Sequence, residues 1–249
     1  MKVLVTGNNG FVGKNLIKIL SADKRIDEIL VYNRKNYLEE LRMKCTRADA
    51  VFHLAACLRP TKIKEFEDNI NLTEQLISCL KESNNKCPVM FSSSVQAELN
   101  NPYGNCKRQE ELKLISYGKS NNANVYIFRF PNLFGEMSKP NYTSVVATFC
   151  YNTVKNLPIV VNDPSVIVNF AFVENVLNKV VNVVLNNEPI LDNKILKFDN
   201  CYQVGLGELA YYMQILKRGE CPKIRRSDDF YFELKRTYEW YCENYKLFE

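Results

Sequence analysis

A chain of 249 residues has room for one domain with elaborations, or for one domain plus a small lobe. Its 46% hydrophobic and 24% charged residues are those of an ordinary globular protein. The first apolar run is too short for a signal peptide, and no segment is long enough to span a bilayer, so a cytoplasmic protein is expected. The net charge of +5 is scattered, with Arg34-Lys35 and Arg225-Arg226 the nearest approach to clusters, which disfavours a nucleic-acid partner and favours small anionic ligands.

The chain opens on an apolar, β-branched run over residues 2–6, the pattern of a strand buried on both faces. Gly7, Gly10 and Gly13 follow. Phe11, Val12, Leu16, Ile17, Ile19 and Leu20 then recur at helical spacing. A glycine turn between strand and helix suits a dinucleotide: one glycine makes the tight turn, one admits a phosphate and one lets helix pack on strand. The free N–H groups and dipole of the helix start then hold the pyrophosphate. This assigns Gly7, Asn9, Gly10, Phe11, Val12 and Gly13 to cofactor binding.

Further strands are expected at 29–32, 50–56, 88–94 and 125–128, with helices at 69–82 and 103–117. Alternating βα units imply an α/β fold, a Rossmann-like, doubly wound parallel sheet that binds ligands outside the carboxyl ends of its strands. Gly7, Ala55, Ser94 and Asn132 follow strands directly and converge on that edge. From about residue 136 the rhythm changes. Short strands at 159–161 and 166–168 mix with helices near 143–156, 173–186 and 206–217, and the aromatic tail reads as a packed helix. The expected organisation is a dinucleotide-binding domain over 1–135 and a small substrate-binding lobe over 136–249, some of whose segments return to the core.

At the end of the second strand, NAD-specific folds place an acid for the ribose 2′-OH. Here the run is Val31-Tyr32-Asn33-Arg34-Lys35, without one. Arg34 can pair with a 2′-phosphate, helped by Lys35 or Asn33, which indicates NADPH. Solvated loop charge is the alternative reading of both residues.

The chemistry is carried by Asn101-Pro102-Tyr103-Gly104-Asn105-Cys106-Lys107. Pro102 can open a helix. Tyr103 and Lys107, four apart, then share a face, and the ammonium favours phenolate. The pair suits proton transfer at a carbonyl or alcohol oxygen. A half-buried tyrosine beside a solvated lysine that pairs with Glu111 is the alternative. The nine cysteines lack C-x-x-C spacing and are odd in number, and His53 is the single histidine. Reduced thiols, no metal site and no Ser-His-Asp hydrolase follow, and His53 reads as a hydrogen-bonded structural residue.

Taken in order, Thr6-Gly7-x-x-Gly10-x-x-Gly13, His53-Leu54-Ala55-Ala56, Ser92–Ser94, Tyr103-x-x-x-Lys107 and Arg129-x-x-Asn132-x-Phe134-Gly135 resemble an extended short-chain dehydrogenase/reductase. Phe91–Ala97, Asn101–Gly104, Pro131–Gly135, Lys139–Tyr142 and Ala147–Tyr151, with the short gap from Ser94 to Tyr103, are similar to the bacterial capsular polysaccharide-assembling reductases. That resemblance implies NADPH-dependent reduction of the C4 ketone of a UDP-2-acetamido-2,6-dideoxy-4-hexulose, on a route of the UDP-N-acetyl-L-fucosamine or L-rhamnosamine type. Tyr103 is the implied general acid, Lys107 its partner and a ligand of the nicotinamide ribose, and Ser94 a donor to the same oxygen, with Ser92 and Ser93 as near alternatives. A hydrogen-bonded turn is the other reading of the three serines.

The resemblance also points to Leu54, Ala55, Ala56, Asn69, Ser92 and Pro131 around the cofactor. It points to Ser93, Asn132, Asn141, Tyr142, Ser144 and Val145 around the sugar nucleotide, with Lys139 the candidate cation for its phosphates. An N-cap is the other reading of Asn69, taken as the start of its helix. The relatives carry a further cupin-type epimerase domain that this sequence does not reach. The expectation is therefore a reductase alone, supplied by a separate C3 epimerase and dimeric through the helices at 69–82 and 103–117. A 4,6-dehydratase needs an acid pair after Ser94, where Val95 and Gln96 stand. An NAD-dependent UDP-sugar 4-epimerase and a non-catalytic NADPH-binding regulatory protein are the remaining alternatives.

Overall fold

The computed structural model describes residues 1–58, 64–189, 195–220 and 229–249; Cys221, Arg225 and Arg226 lie outside the described residues. The chain forms two compact units, Met1–Phe130 with Leu177–Phe198 and Pro131–Val176 with Asp199–Glu249.

The first unit is built on β1 (Lys2–Thr6), β2 (Glu28–Tyr32), β3 (Ala50–His53), β4 (Val89–Ser94) and β5 (Val125–Phe130). With β8 (Ile195–Lys197) they make a parallel sheet of order β2-β1-β3-β4-β5-β8. Val3, Leu4, Val5 and Ala50, Val51, Phe52 are fully buried, as expected of central parallel strands covered on both faces. The order reverses between β1 and β3, whose ends register Thr6 against His53. In such sheets this switch point opens the crevice in which ligands bind.

Helices α1 (Phe11–Ala22), α2 (Leu38–Arg47), α3 (Lys64–Glu82) and α4 (Pro102–Asn121) connect these strands. Leu41, Leu76, Leu80, Leu114 and Tyr117 from the last three pack on Leu4, Leu30, Val51, Val89 and Phe91 of the sheet. Truncating such a buried leucine costs about 2–5 kcal/mol. Asn101 caps α4 by accepting from the Gly104 N–H at 2.7 Å, and Pro102 occupies the first turn. The helix runs past 117 to a left-handed Asn122 at φ 53°. Sequence periodicity missed α2 because it buries only Leu41 and Cys45. Its start is instead fixed by Glu40, which accepts from the Tyr37 N–H at 3.0 Å.

The second unit contains a sheet of order β6-β7-β9, from β6 (Asn132–Phe134), β7 (Ile167–Phe172) and β9 (Tyr202–Gly205). Helices α5 (Val145–Val154), α7 (Leu206–Arg218) and α8 (Asp229–Asn244) belong to this unit, and α6 (Val173–Leu185) carries the chain back to the first. The aromatic tail is the packed helix α8: Phe230, Tyr231 and Tyr241 join Phe134, Phe170 and Met213 in one core. The expected strand at 159–161 does not form. Val160 is 73% exposed and its neighbours have no ladder partner, so apolar composition alone was misleading there. The third strand ends at His53 rather than Ala56, because the Leu54 and Ala55 N–H groups turn to the Thr6 hydroxyl, each at 3.2 Å. Among the described residues no helix is long and apolar enough to cross a membrane.

Candidate active site

The glycine turn joins β1 to α1 as the sequence pattern requires. Gly7 has φ +75°, and a Cβ there would lie 2.6 Å from the Ala55 nitrogen. A Cβ on Gly13 would stand 2.2 Å from the Gly7 carbonyl oxygen, so the first turn of α1 packs directly on the loop. No side chain caps this helix at Gly10, and its first turn has no acid. Helix geometry leaves the N–H groups of Phe11, Val12 and Gly13 without intrahelical acceptors, which is the chemistry of an anion site. Asn9 is exposed beside them, bonded to Asn8 at 3.2 Å. Beyond β2, Asn33 and Asn36 bond each other to close a turn, which leaves Arg34 and Lys35 exposed.

Asn69 stands within α3, which begins at Lys64, so it is not an N-cap. Its amide accepts from the Cys57 N–H at 2.7 Å and donates to the Cys57 carbonyl at 3.2 Å. It therefore clamps the loop that carries Leu54, Ala55 and Ala56. The pleat of β4 separates the three serines. Ser92 and Ser94 are half-buried on one face; Ser92 donates to the His53 carbonyl at 3.3 Å. Ser94 caps a 3-10 turn over Val95–Glu98, accepting from the Gln96 N–H at 3.2 Å, so the hydrogen-bonded-turn reading is also met at this residue. Ser93 faces the other way, buried, and donates to Glu111. Its expected place beside the substrate is corrected: it belongs to the Glu111–Arg129 ion pair.

Tyr103 and Lys107 share a face of α4, with Nζ 6.0 Å from the phenol ring centroid and 4.4 Å from that of Phe91. The lysine is not the solvated partner of Glu111. It is 1% exposed, and its Nζ lies 3.1 Å from Glu110 Oε2. That contact is an ion pair rather than an aligned hydrogen bond. Burial pushes the Tyr103 phenol above its ordinary range, and Lys107 opposes this without overcoming it. Lys107 thus favours phenolate as expected, but burial outweighs it, and the phenol keeps its proton at neutral pH, as an acid must.

A buried polar chain, not anticipated in the sequence, leads from the glycine turn to this lysine. Thr6 Oγ1 accepts from the Leu54 and Ala55 N–H groups, so its own hydrogen goes to His53 Nδ1, 2.7 Å away. His53 Nε2 then donates to Thr73 Oγ1 at 2.9 Å, and the Thr73 hydroxyl donates to Glu110 Oε1 at 2.9 Å. This direction of donation assigns the imidazole as neutral with its proton on Nε2. Burial first, and Lys107 second, push the His53 pKa down to about 3, consistent with that state. The structural reading of His53 holds. Glu110 escaped notice because it stands three residues from Lys107, beside a second acid at four.

The second unit carries the other candidates. Asn132 is exposed and donates to the Asn169 carbonyl at 3.2 Å; Pro131 precedes it, half-buried. Asn141, left-handed at φ 54°, donates its N–H to Thr148 at 2.9 Å. Ser144 caps α5 by accepting from Ala147 at 3.2 Å, and Val145 opens that helix. Lys139 and Tyr142 are exposed neighbours, Nζ 5.9 Å from the ring centroid. Among the described residues no His, Cys, Asp and Glu cluster could hold a metal ion.

A model of the NAD dependent epimerase/dehydratase family matches residues 3–197. The chain belongs to that family. Members of this family, the extended short-chain dehydrogenase/reductases, include close matches in sequence and shape. A Pseudomonas aeruginosa protein described as UDP-2-acetamido-2,6-beta-L-arabino-hexul-4-ose reductase is 39% identical over 212 residues, covering 84% of this chain and 56% of its own. CapF, a capsular polysaccharide assembling protein from Staphylococcus aureus, matches with a TM-score of 0.85 at 35% identity, over 97% of this chain and 66% of its own. The chain thus spans little more than half of the first relative and just under two thirds of the second. WbmF of Bordetella bronchiseptica, solved with NAD+ and UDP, shares the fold at 19% identity, with a TM-score of 0.81 over 99% of this chain and 93% of its own.

Proposed function

We propose that the protein is an NADPH-dependent reductase of the C4 ketone of a UDP-2-acetamido-2,6-dideoxy-4-hexulose. The observation that carries this reading is the 39% identity to the P. aeruginosa hexulose reductase across 84% of the chain. The Tyr103, Lys107 and Ser94 set supports it, since a protein that merely bound the nucleotide has no need of a paired phenol and ammonium.

The glycine turn fits the cofactor: it is closed to any side chain at Gly7, and its helix start is uncapped and free of acids. Gly7, Asn9, Gly10, Phe11, Val12 and Gly13 would hold the pyrophosphate, and Arg34 with Lys35 the 2′-phosphate. Leu54, Ala55, Ala56, Ser92 and Pro131 would line the rest, with Asn69 acting through the loop that it clamps. Bound NADPH supplies the hydride. Tyr103 gives its proton to the C4 oxygen as charge develops there, and Lys107 holds positive charge beside the phenol. The Ser94 hydroxyl accepts from Gln96 and keeps its hydrogen for the same oxygen, a preorganised donor. Asn132, Asn141, Tyr142, Ser144 and Val145 would bind the sugar nucleotide, with Lys139 near its phosphates. A homodimer would pair α3 and α4 with their copies.

The test is NADPH oxidation at 340 nm on the UDP-4-hexulose, with NMR of the product. No oxidation by the wild type, or an equal rate for Tyr103→Phe, rejects the mechanism. Tightly held NAD with interconversion of sugars and no net oxidation makes the protein a 4-epimerase instead.

A further inference from the structure

We propose that Glu110 is a positioning residue for the proton-transfer pair: its buried carboxylate fixes the Lys107 ammonium in place and sets the range of pH over which the pair can donate a proton. This rests on the reading of Tyr103 as the general acid.

Lys107 and Glu110 are 1% and 0% exposed, with Nζ and Oε2 3.1 Å apart. An ammonium alone in such a place favours the neutral amine, because burial penalises charge. Among the described residues, Glu110 is the carboxylate within ion-pair distance of it. Glu110 is itself held from outside its helix. Thr73 of α3 donates to Oε1, His53 of β3 anchors Thr73, and the Cys106 thiol points to Oε2 at 3.7 Å. The groups facing the pair are therefore Tyr103 and Cys106 from α4, Thr73 and Asn69 from α3, neutral His53 from β3 and the Phe91 ring from β4. A carboxylate so constrained places the cation over Phe91 and beside Tyr103, and does not follow it elsewhere.

The two charges act on the phenol with opposite signs. Burial lowers the proton affinity of Lys107, and Glu110 with Tyr103 more than restores it. Burial raises that of Tyr103, Lys107 lowers it and Glu110 raises it. Removing the Glu110 charge therefore moves lysine and tyrosine in the same direction, toward losing a proton at lower pH. Because they titrate as a coupled pair, the change appears as one displaced limb of the rate profile.

The experiment measures kcat/KM for reduction of the UDP-4-hexulose by NADPH from pH 6 to 10. In Glu110→Gln, which keeps shape and removes charge, the basic limb should move toward acid by about 1 to 3 pH units. A limb that coincides with the wild type overturns the proposal, even if the rate or the melting temperature falls, since a purely structural role would do that much. If Glu110→Gln does not fold, Glu110→Asp carries the test: a smaller shift in the same direction supports the proposal and an unmoved limb overturns it. If the wild type does not oxidise NADPH on this substrate, the functional reading has failed. Glu110 is then judged by 19F NMR of protein labelled with 3-fluorotyrosine, the Tyr103 signal being identified by its loss in Tyr103→Phe. Ionisation at lower pH in the Gln variant supports the proposal; equal midpoints, or no ionisation in either protein up to pH 11, overturn it.

Discussion

Arg129 grips Glu111 with two guanidinium nitrogens, Nε at 2.8 Å from Oε1 and Nη2 at 2.7 Å from Oε2. The pair joins β5 to α4, and Ser93 of β4 donates to the same carboxylate. The glutamate is 4% exposed and the arginine 12%. Removing one partner of a buried pair and leaving the other uncompensated costs about 3–5 kcal/mol. Arg129 also reaches Glu98 through Nη1 at 3.1 Å and keeps that partner when Glu111 is removed. Glu111→Ala should therefore lose less than that, about 1–3 kcal/mol in urea unfolding; a loss under about 1 kcal/mol would place the pair among ordinary surface bridges.

Tyr103→Phe removes the proposed acid and leaves its ring against Phe66. We expect kcat to fall by about 10²–10⁴, the usual worth of general acid catalysis, with NADPH affinity changed little. Fluorescence titration separates the two: a matching loss of NADPH binding would mean that the phenol serves the cofactor rather than the chemistry.

Arg34 is exposed beyond β2. A hydrogen bond between charged groups is worth about 1.5–3 kcal/mol. Arg34→Ala should therefore lower kcat/KM for NADPH by about tenfold or more and leave that for NADH unchanged. Equal losses with both cofactors would remove Arg34 from the 2′-phosphate.

His53 predicts an acid-sensitive fold. Its pKa is pushed down to about 3 in the folded protein, against an ordinary value of 6.5. Between those limits the unfolded chain binds a proton that the folded one does not. The contribution is thus present above pH 6.5 and lost as pH falls toward 3, at roughly 1.4 kcal/mol per pH unit. Urea midpoints for the wild type and His53→Gln, followed from pH 7 to 4, should converge as pH falls. Parallel curves would show that the imidazole charges without penalty.

The proposed dimer needs the exposed ridge of α3 and α4. Ile77 and Leu112 lie along a groove there with Glu74 and Lys113, and Leu112 is 67% exposed. Sedimentation should find the wild type dimeric and Ile77→Glu with Leu112→Glu monomeric. A monomeric wild type ends that expectation.

The sequence by itself determined β1 to β5, the glycine turn and the span from Asn101 to Lys107, because each depends on neighbours in the chain. β-branched runs, a positive-φ turn at Gly7 and an Asn-Pro helix start act over a few residues. Tertiary structure decided the partners. Ser93 departs from Ser92 and Ser94 because a strand sends alternate side chains to opposite faces, and the register of β4 against β5 chose which face is which. Asn69 became a loop clamp because α3 starts earlier than its apolar periodicity suggests. Lys107 pairs with Glu110 and Arg129 with Glu111 because the rotation of α4 against α3 and the sheet turns one acid toward Thr73 and the other toward β5. Two adjacent glutamates are equivalent in composition; burial against different strands makes one a counter-ion for the proposed chemistry and the other a brace for the fold.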